Sequence, residues 1–137
     1  MKQAIIPLVL FLAEAQALAS PDPGRIRLEA CLNDPQNAST SGQTDCEGAA
    51  LRAYDRRMNF AYFTLMKRLP LTAREKLRLA QRSWILFRNT ERSARIGIFE
   101  TRQGTMYVPI AAEQETILVR DRALQLEAYV RVLNIAP

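Results

Sequence analysis

Two long stretches carrying apolar residues at every third or fourth position, with one proline between them, constrain this chain most. Leu51, Tyr54, Met58, Ala61, Leu65 and Leu69 form one stripe, Leu77, Ala80, Trp84 and Phe87 a second, and Pro70 separates them. That spacing marks one face of an α-helix, and proline cannot continue a helix interior. Helices joined by two or three residues fold back on each other, so the expected fold is all-α and starts with an antiparallel helical hairpin. Thr44 to Glu47 has the spacing of a capping box for the first helix, and Thr72 to Glu75 repeats it for the second. The second helix is expected to reach about Arg95, with Gly97 as its stop. Residues 98–108, which include Gly104, read as an irregular connection, a short strand pair being the less favoured alternative. From Pro109 onward Ile110, Ile117, Leu118, Leu124, Ala128 and Val132 share a face and predict a third helix packed on the hairpin. A chain of 137 residues holds one such domain.

The start of the chain reads as an address. Met1 and Lys2 give a positive beginning, Ala4 to Ala13 an apolar run, and Ala17-Leu18-Ala19 the small residues that precede a signal-peptidase cut. Residues 1–19 are expected to be a cleaved signal peptide, leaving 20–137 as a single helical domain. The run falls well short of the ~20 apolar residues that cross a bilayer, and no later stretch is longer, so no transmembrane segment is expected after cleavage. The product is then periplasmic or secreted. In an oxidising compartment Cys31 and Cys46 are best paired as a disulfide, which ties an N-terminal arm to the first helix. Ser20 to Arg27 is Pro-rich and charged and reads as a flexible lead-in.

Much chemistry is excluded by composition. There is no histidine and there are only two cysteines, so triads, imidazole acid–base catalysis and structural zinc sites cannot be built. The five glycines are scattered and match no phosphate-binding loop. No cofactor or metal is implied. Acid pairs such as Asp45 with Glu47, or Glu113 with Glu115, lie near helix starts, where carboxylates serve as caps and dipole partners. The chain reads as a non-enzyme.

Polar residues also fall inside the hairpin. Residues equidistant from the turn face each other, which pairs Asp55 with Arg88, Asn59 with Trp84, and Tyr62 with Gln81. Each pair is chemically matched, and such contacts fix register between helices. The alternative is that Trp84 and Arg88 present a stacking and anion-binding site. Between Arg74 and Arg95 there are seven basic residues and two acids, and Arg74, Arg78, Arg82 and Arg92 fall in one sector. This stripe is either a solvated flank or a surface drawn to an anionic cell-envelope polymer or membrane face. With a formal charge of +5 but no aromatics interleaved with the basic residues, nucleic acid is not an expected partner.

Cys46, Asp55, Asn59 and Tyr62, followed by Leu77, Ala80-Gln81-Arg82, Trp84-Ile85 and Phe87-Arg88-Asn89, resemble the N-terminal domain of the LprI-type lysozyme-inhibitor family, small exported bacterial domains. The likeness runs from Cys31 to Tyr129 and includes Arg122-Ala123 and Leu126-Glu127. It implies an exported inhibitor whose partner is lysozyme or another muramidase. Family members commonly carry a second cysteine pair. Here the matching positions hold Arg92 and a residue near Gln114 or Glu115, so an Arg92–Glu115 ion pair is expected in its place.

Overall fold

The computed structural model describes residues 21–135; the expected signal peptide lies outside the described residues. The chain forms α1 (Pro23–Leu32), a single 3-10 turn (Pro35–Asn37), α2 (Thr40–Arg68), α3 (Leu71–Glu100) and α4 (Tyr107–Val132). The fold is all-α, with a hairpin, a further packed helix and an N-terminal arm held by the Cys31–Cys46 disulfide, whose Cα atoms are 5.8 Å apart.

Element boundaries depart from expectation in five places, the smallest being α4, which starts at Tyr107, two residues before Pro109. The Pro-rich lead-in is helical, because Pro23 takes the first helical position, where its missing N–H costs nothing, and the Asp22 carboxylate accepts from the Gly24 amide at 3.4 Å. Helix α2 starts at Thr40 under a Ser39 cap that accepts from the Gly42 amide at 3.0 Å. Thr44 is already inside the helix and donates to the Thr40 carbonyl, so its capping-box spacing is unused. Helix α3 starts directly after Pro70 with no side-chain cap; the ring fixes φ, and Thr72 to Glu75 make no box. It also runs through Gly97, since an interior glycine costs only about 0.5–1 kcal/mol. The chain turns instead near Gly104, at φ +110°.

Packing follows side-chain size. The buried core is Ala50, Tyr54, Met58, Ala61 and Leu65 of α2 against Val119, Ala123 and Leu126 of α4. Alanines on both sides let these helices approach closely, and α2 packs directly on α4. Cross-links between them join Thr116 to Glu47, Arg57 to Glu127 and Arg68 to Asn134, at separations of 69, 70 and 66 residues. A near-constant offset means that α2 and α4 run parallel. Helix α3 runs antiparallel to both and stands further off, because its inward residues, Leu77, Gln81, Trp84, Arg88 and Arg95, are long. The gap this leaves is widest toward the α3–α4 connection.

Candidate functional site

At the end of the bundle where α2 begins, α3 ends and α4 begins, a cleft of about 530 Å³ opens. Leu51 of α2, Ile96 and Phe99 of α3, and Tyr107, Val108 and Ala112 of α4 line it with apolar surface, and Glu47, Arg88, Arg92, Arg95 and Glu115 add charge. Three charged groups organise the bundle, the first of them lining the cleft.

The first is centred on Glu115. Its carboxylate accepts from Arg88 Nε and from Arg95 Nη1, both at 2.9 Å, and Arg88 Nη1 lies 3.5 Å from Asp55. One acid of α4 thus gathers α3 to α2. The expected Arg92–Glu115 pair does not form. Arg88 and Arg95 take the two oxygens of Glu115, while Arg92, between them on the same side of α3, is exposed, with no ion-pair partner among the described residues.

The second joins Asp22, Tyr54, Arg57 and Glu127. Arg57 forks onto Glu127 at 2.7 and 2.8 Å and reaches Asp22 at 2.6 Å, and the Tyr54 hydroxyl donates to the same Asp22 carboxylate. Glu127 and Asp22 raise the Arg57 guanidinium pKa further, against the pull of burial. Burial would raise Asp22, but Tyr54 and Arg57 outweigh it and hold the carboxyl below its usual range. Burial and the neighbouring carboxylate both push the Tyr54 phenol up. Gly24 fits against the phenol so closely that a Cβ there would come within 2.7 Å of its oxygen.

The third is Arg122, buried with no carboxylate partner among the described residues. Its Nε donates to Gln81 at 2.9 Å and its Nη1 to Gln125, Nη2 is unpartnered, and the guanidinium carbon lies 5.9 Å from the centre of the Trp84 ring. Burial lowers its pKa. Arg88 flanks the same ring at 5.8 Å.

Of the three expected hairpin pairs, only Asp55 with Arg88 is made. Asn59 is exposed and donates to Asp55 at 3.0 Å, one turn away on its own helix. Tyr62 meets Phe63 edge-on at 5.6 Å, while Gln81 is taken by Arg122. Trp84 is half-buried between two arginines rather than bonded to an amide. The basic stripe is also divided. Arg74 donates to the Leu69 carbonyl at 2.6 Å and Arg78 to Glu75 at 2.6 Å, whereas Arg82 and Arg92 are exposed. Asp22 and Arg57 carry no signal in the sequence, since no local spacing marks partners so distant along the chain, and Glu47, read there as a capping carboxylate, is instead buried inside α2.

Comparison with known families gives one match, to the lysozyme inhibitor LprI family, across residues 31–126. The chain belongs to the LprI family. The matched region contains α2, α3 and most of α4, and with them the Glu115 network and the Arg122 group. A crystal structure of an uncharacterized protein from Burkholderia thailandensis is similar to this LprI domain at 33% sequence identity with a TM-score of 0.75, covering 80% of this chain. The chain spans 54% of the length of that protein. Comparison with curated proteins returns no match. Among the described residues of this LprI member, no helix is long and apolar enough to cross a membrane.

Proposed function

We propose that the chain acts outside the cytoplasm as a non-catalytic inhibitor that binds a lysozyme-type muramidase. The observation that carries this reading is the family match over residues 31–126, which takes in every helix of the core. Such enzymes hold two carboxyl groups across the scissile bond, and a guanidinium is the side chain best shaped to engage them. Arg82 and Arg92 are exposed on α3 and have no ion-pair partner among the described residues, so they are available to a partner without breaking a bond inside this protein. The formal charge of +5 repels the strongly basic animal lysozymes at long range, so recognition relies on close contact, and added salt speeds association instead of slowing it.

The test is a cell-wall lysis assay with purified protein against animal, bacterial and phage lysozymes. Saturable loss of lysis is expected for at least one of them, and Arg82→Glu with Arg92→Glu weakens it about tenfold or more, equivalent to roughly 1.4 kcal/mol. Full lysis by every enzyme at excess inhibitor overturns the reading.

A further inference from the structure

We propose that the cleft between α2, α3 and α4 binds a single-chain anionic amphiphile bearing a hydroxyl beside its anionic group, the chemistry of a lysophospholipid. Its volume of about 530 Å³ lies within the ~300–1,000 Å³ of small-molecule sites. Gly48 holds it open. A glycine inside a long helix is destabilising relative to alanine, yet nothing here demands one, since a Cβ would meet only the tip of the flexible Arg52 side chain, at 3.4 Å. The missing side chain leaves room between Leu51, Ile96 and Tyr107, which are apolar walls for a hydrocarbon tail.

Two further observations point to a ligand and specify its head. Glu47 lines the cleft and is only 4% exposed, and its Oε2 has no hydrogen-bond partner among the described residues. An orphaned buried acceptor forfeits its hydration without a compensating bond, and a ligand hydroxyl would satisfy it. Burial also pushes the Glu47 carboxyl up, which lessens its repulsion of an anion. Arg92 and Arg102 line the same cleft with no ion-pair partner among the described residues. Arg88 and Arg95 are already held by Glu115. Glu100 stands beside the free pair, and two guanidiniums against one carboxylate leave this side positive. Apolar walls, free arginines and an unmet acceptor, all lining one cleft, match a tail, an anionic group and a hydroxyl.

The experiment titrates the purified protein with lauroyl lysophosphatidylglycerol below its micellar concentration, read by native mass spectrometry and calorimetry. One ligand per chain is expected, with saturation. Gly48→Leu fills the cleft while improving helix propensity, so it should keep or raise Tm and lose at least about tenfold in affinity. Arg92→Glu with Arg102→Glu should lose a similar factor. Lauroyl monoglyceride, with the same tail and no phosphate, should bind about tenfold more weakly, and glycerol phosphate, with no tail, should not bind. Absence of saturable binding, undiminished binding by a folded Gly48→Leu protein, or equal binding of the monoglyceride overturns the proposal. Lysis inhibition by the same variants is a separate readout, so failure here is distinguishable from failure of the inhibitor reading.

Discussion

Arg57 and Glu127 meet through two N–H···O bonds of 2.7 and 2.8 Å although 70 residues separate them. With Asp22 on its third nitrogen, Arg57 joins the residue that caps α1 to both helices of the core. Arg57→Ala leaves two half-buried carboxylates without a counter-ion, although Asp22 keeps its bond from the Tyr54 hydroxyl. Because the three side chains are 16–25% exposed, the expected loss is at the lower end of the ~3–5 kcal/mol seen when a buried pair is broken. Arg57→Lys recovers only part, since an ammonium cannot serve the fork and Asp22 together. Urea unfolding measures both, and a change below about 0.5 kcal/mol, the scale of exposed pairs, would show the network to be idle.

Replacing Cys31 and Cys46 by serine opens a loop of separation 15 and is expected to cost ~3 kcal/mol. The effect should be uneven. Helix α1 is held by this bond, by Gly24 against Tyr54 and by Asp22, so its amides should lose hydrogen-exchange protection first while the α2–α4 core keeps its own. Uniform loss of protection would contradict this ordering.

Glu47 gives a pH signature. Burial raises its folded pKa above the unfolded value, so the folded state holds the proton more tightly. That contribution is complete below the unfolded carboxyl pKa of ~4.3 and is lost as pH rises through the folded value. Tm measured across this range should fall for the wild type relative to Glu47→Gln, which has no such proton to lose. Asp22 titrates with the opposite sign, its pKa being lowered, and it cancels in the difference because both proteins carry it. A pH-independent difference would refute the assignment.

Glu115→Gln strands Arg95, which is buried, and removes the nearer of the two carboxylates at Arg88. A loss of ~3 kcal/mol is expected. Adding Arg95→Met should restore much of it, because the penalty lies in the uncompensated charge more than in the missing bond. Thermal unfolding of the single and double variants separates the two contributions.

The three long helices were legible because 3.6-residue periodicity is a local property, whereas α1, which has no apolar stripe, was read as a flexible lead-in; the Asp55–Arg88 contact was legible because a short turn fixes which levels of two helices face each other. Level does not give side, however. Asn59 sits at the level of Trp84 but points outward, and Gln81 sits at the level of Tyr62 but is claimed by Arg122 from α4. The Glu115 partner was misplaced onto Arg92, which lies between Arg88 and Arg95 on one side of α3, because spacing alone does not say which of three neighbouring arginines reaches inward. The Arg57–Glu127 fork and the cleft left no local mark. Each depends on how α4 docks, and an amphipathic stripe indicates that a helix will be covered without saying by which neighbour.

The parallel alignment of α2 with α4 also governs how the molecule assembles. Its central contacts join segments about 70 positions apart, so the entropy of closing that long loop must be met before any of them forms. An all-helical chain of this size would ordinarily collapse quickly through neighbouring contacts; here the α2–α4 core contacts span that long loop and should slow folding relative to a bundle packed only on sequence neighbours. Until its last helix arrives, the alanine-rich face of α2 lacks the partner that buries it.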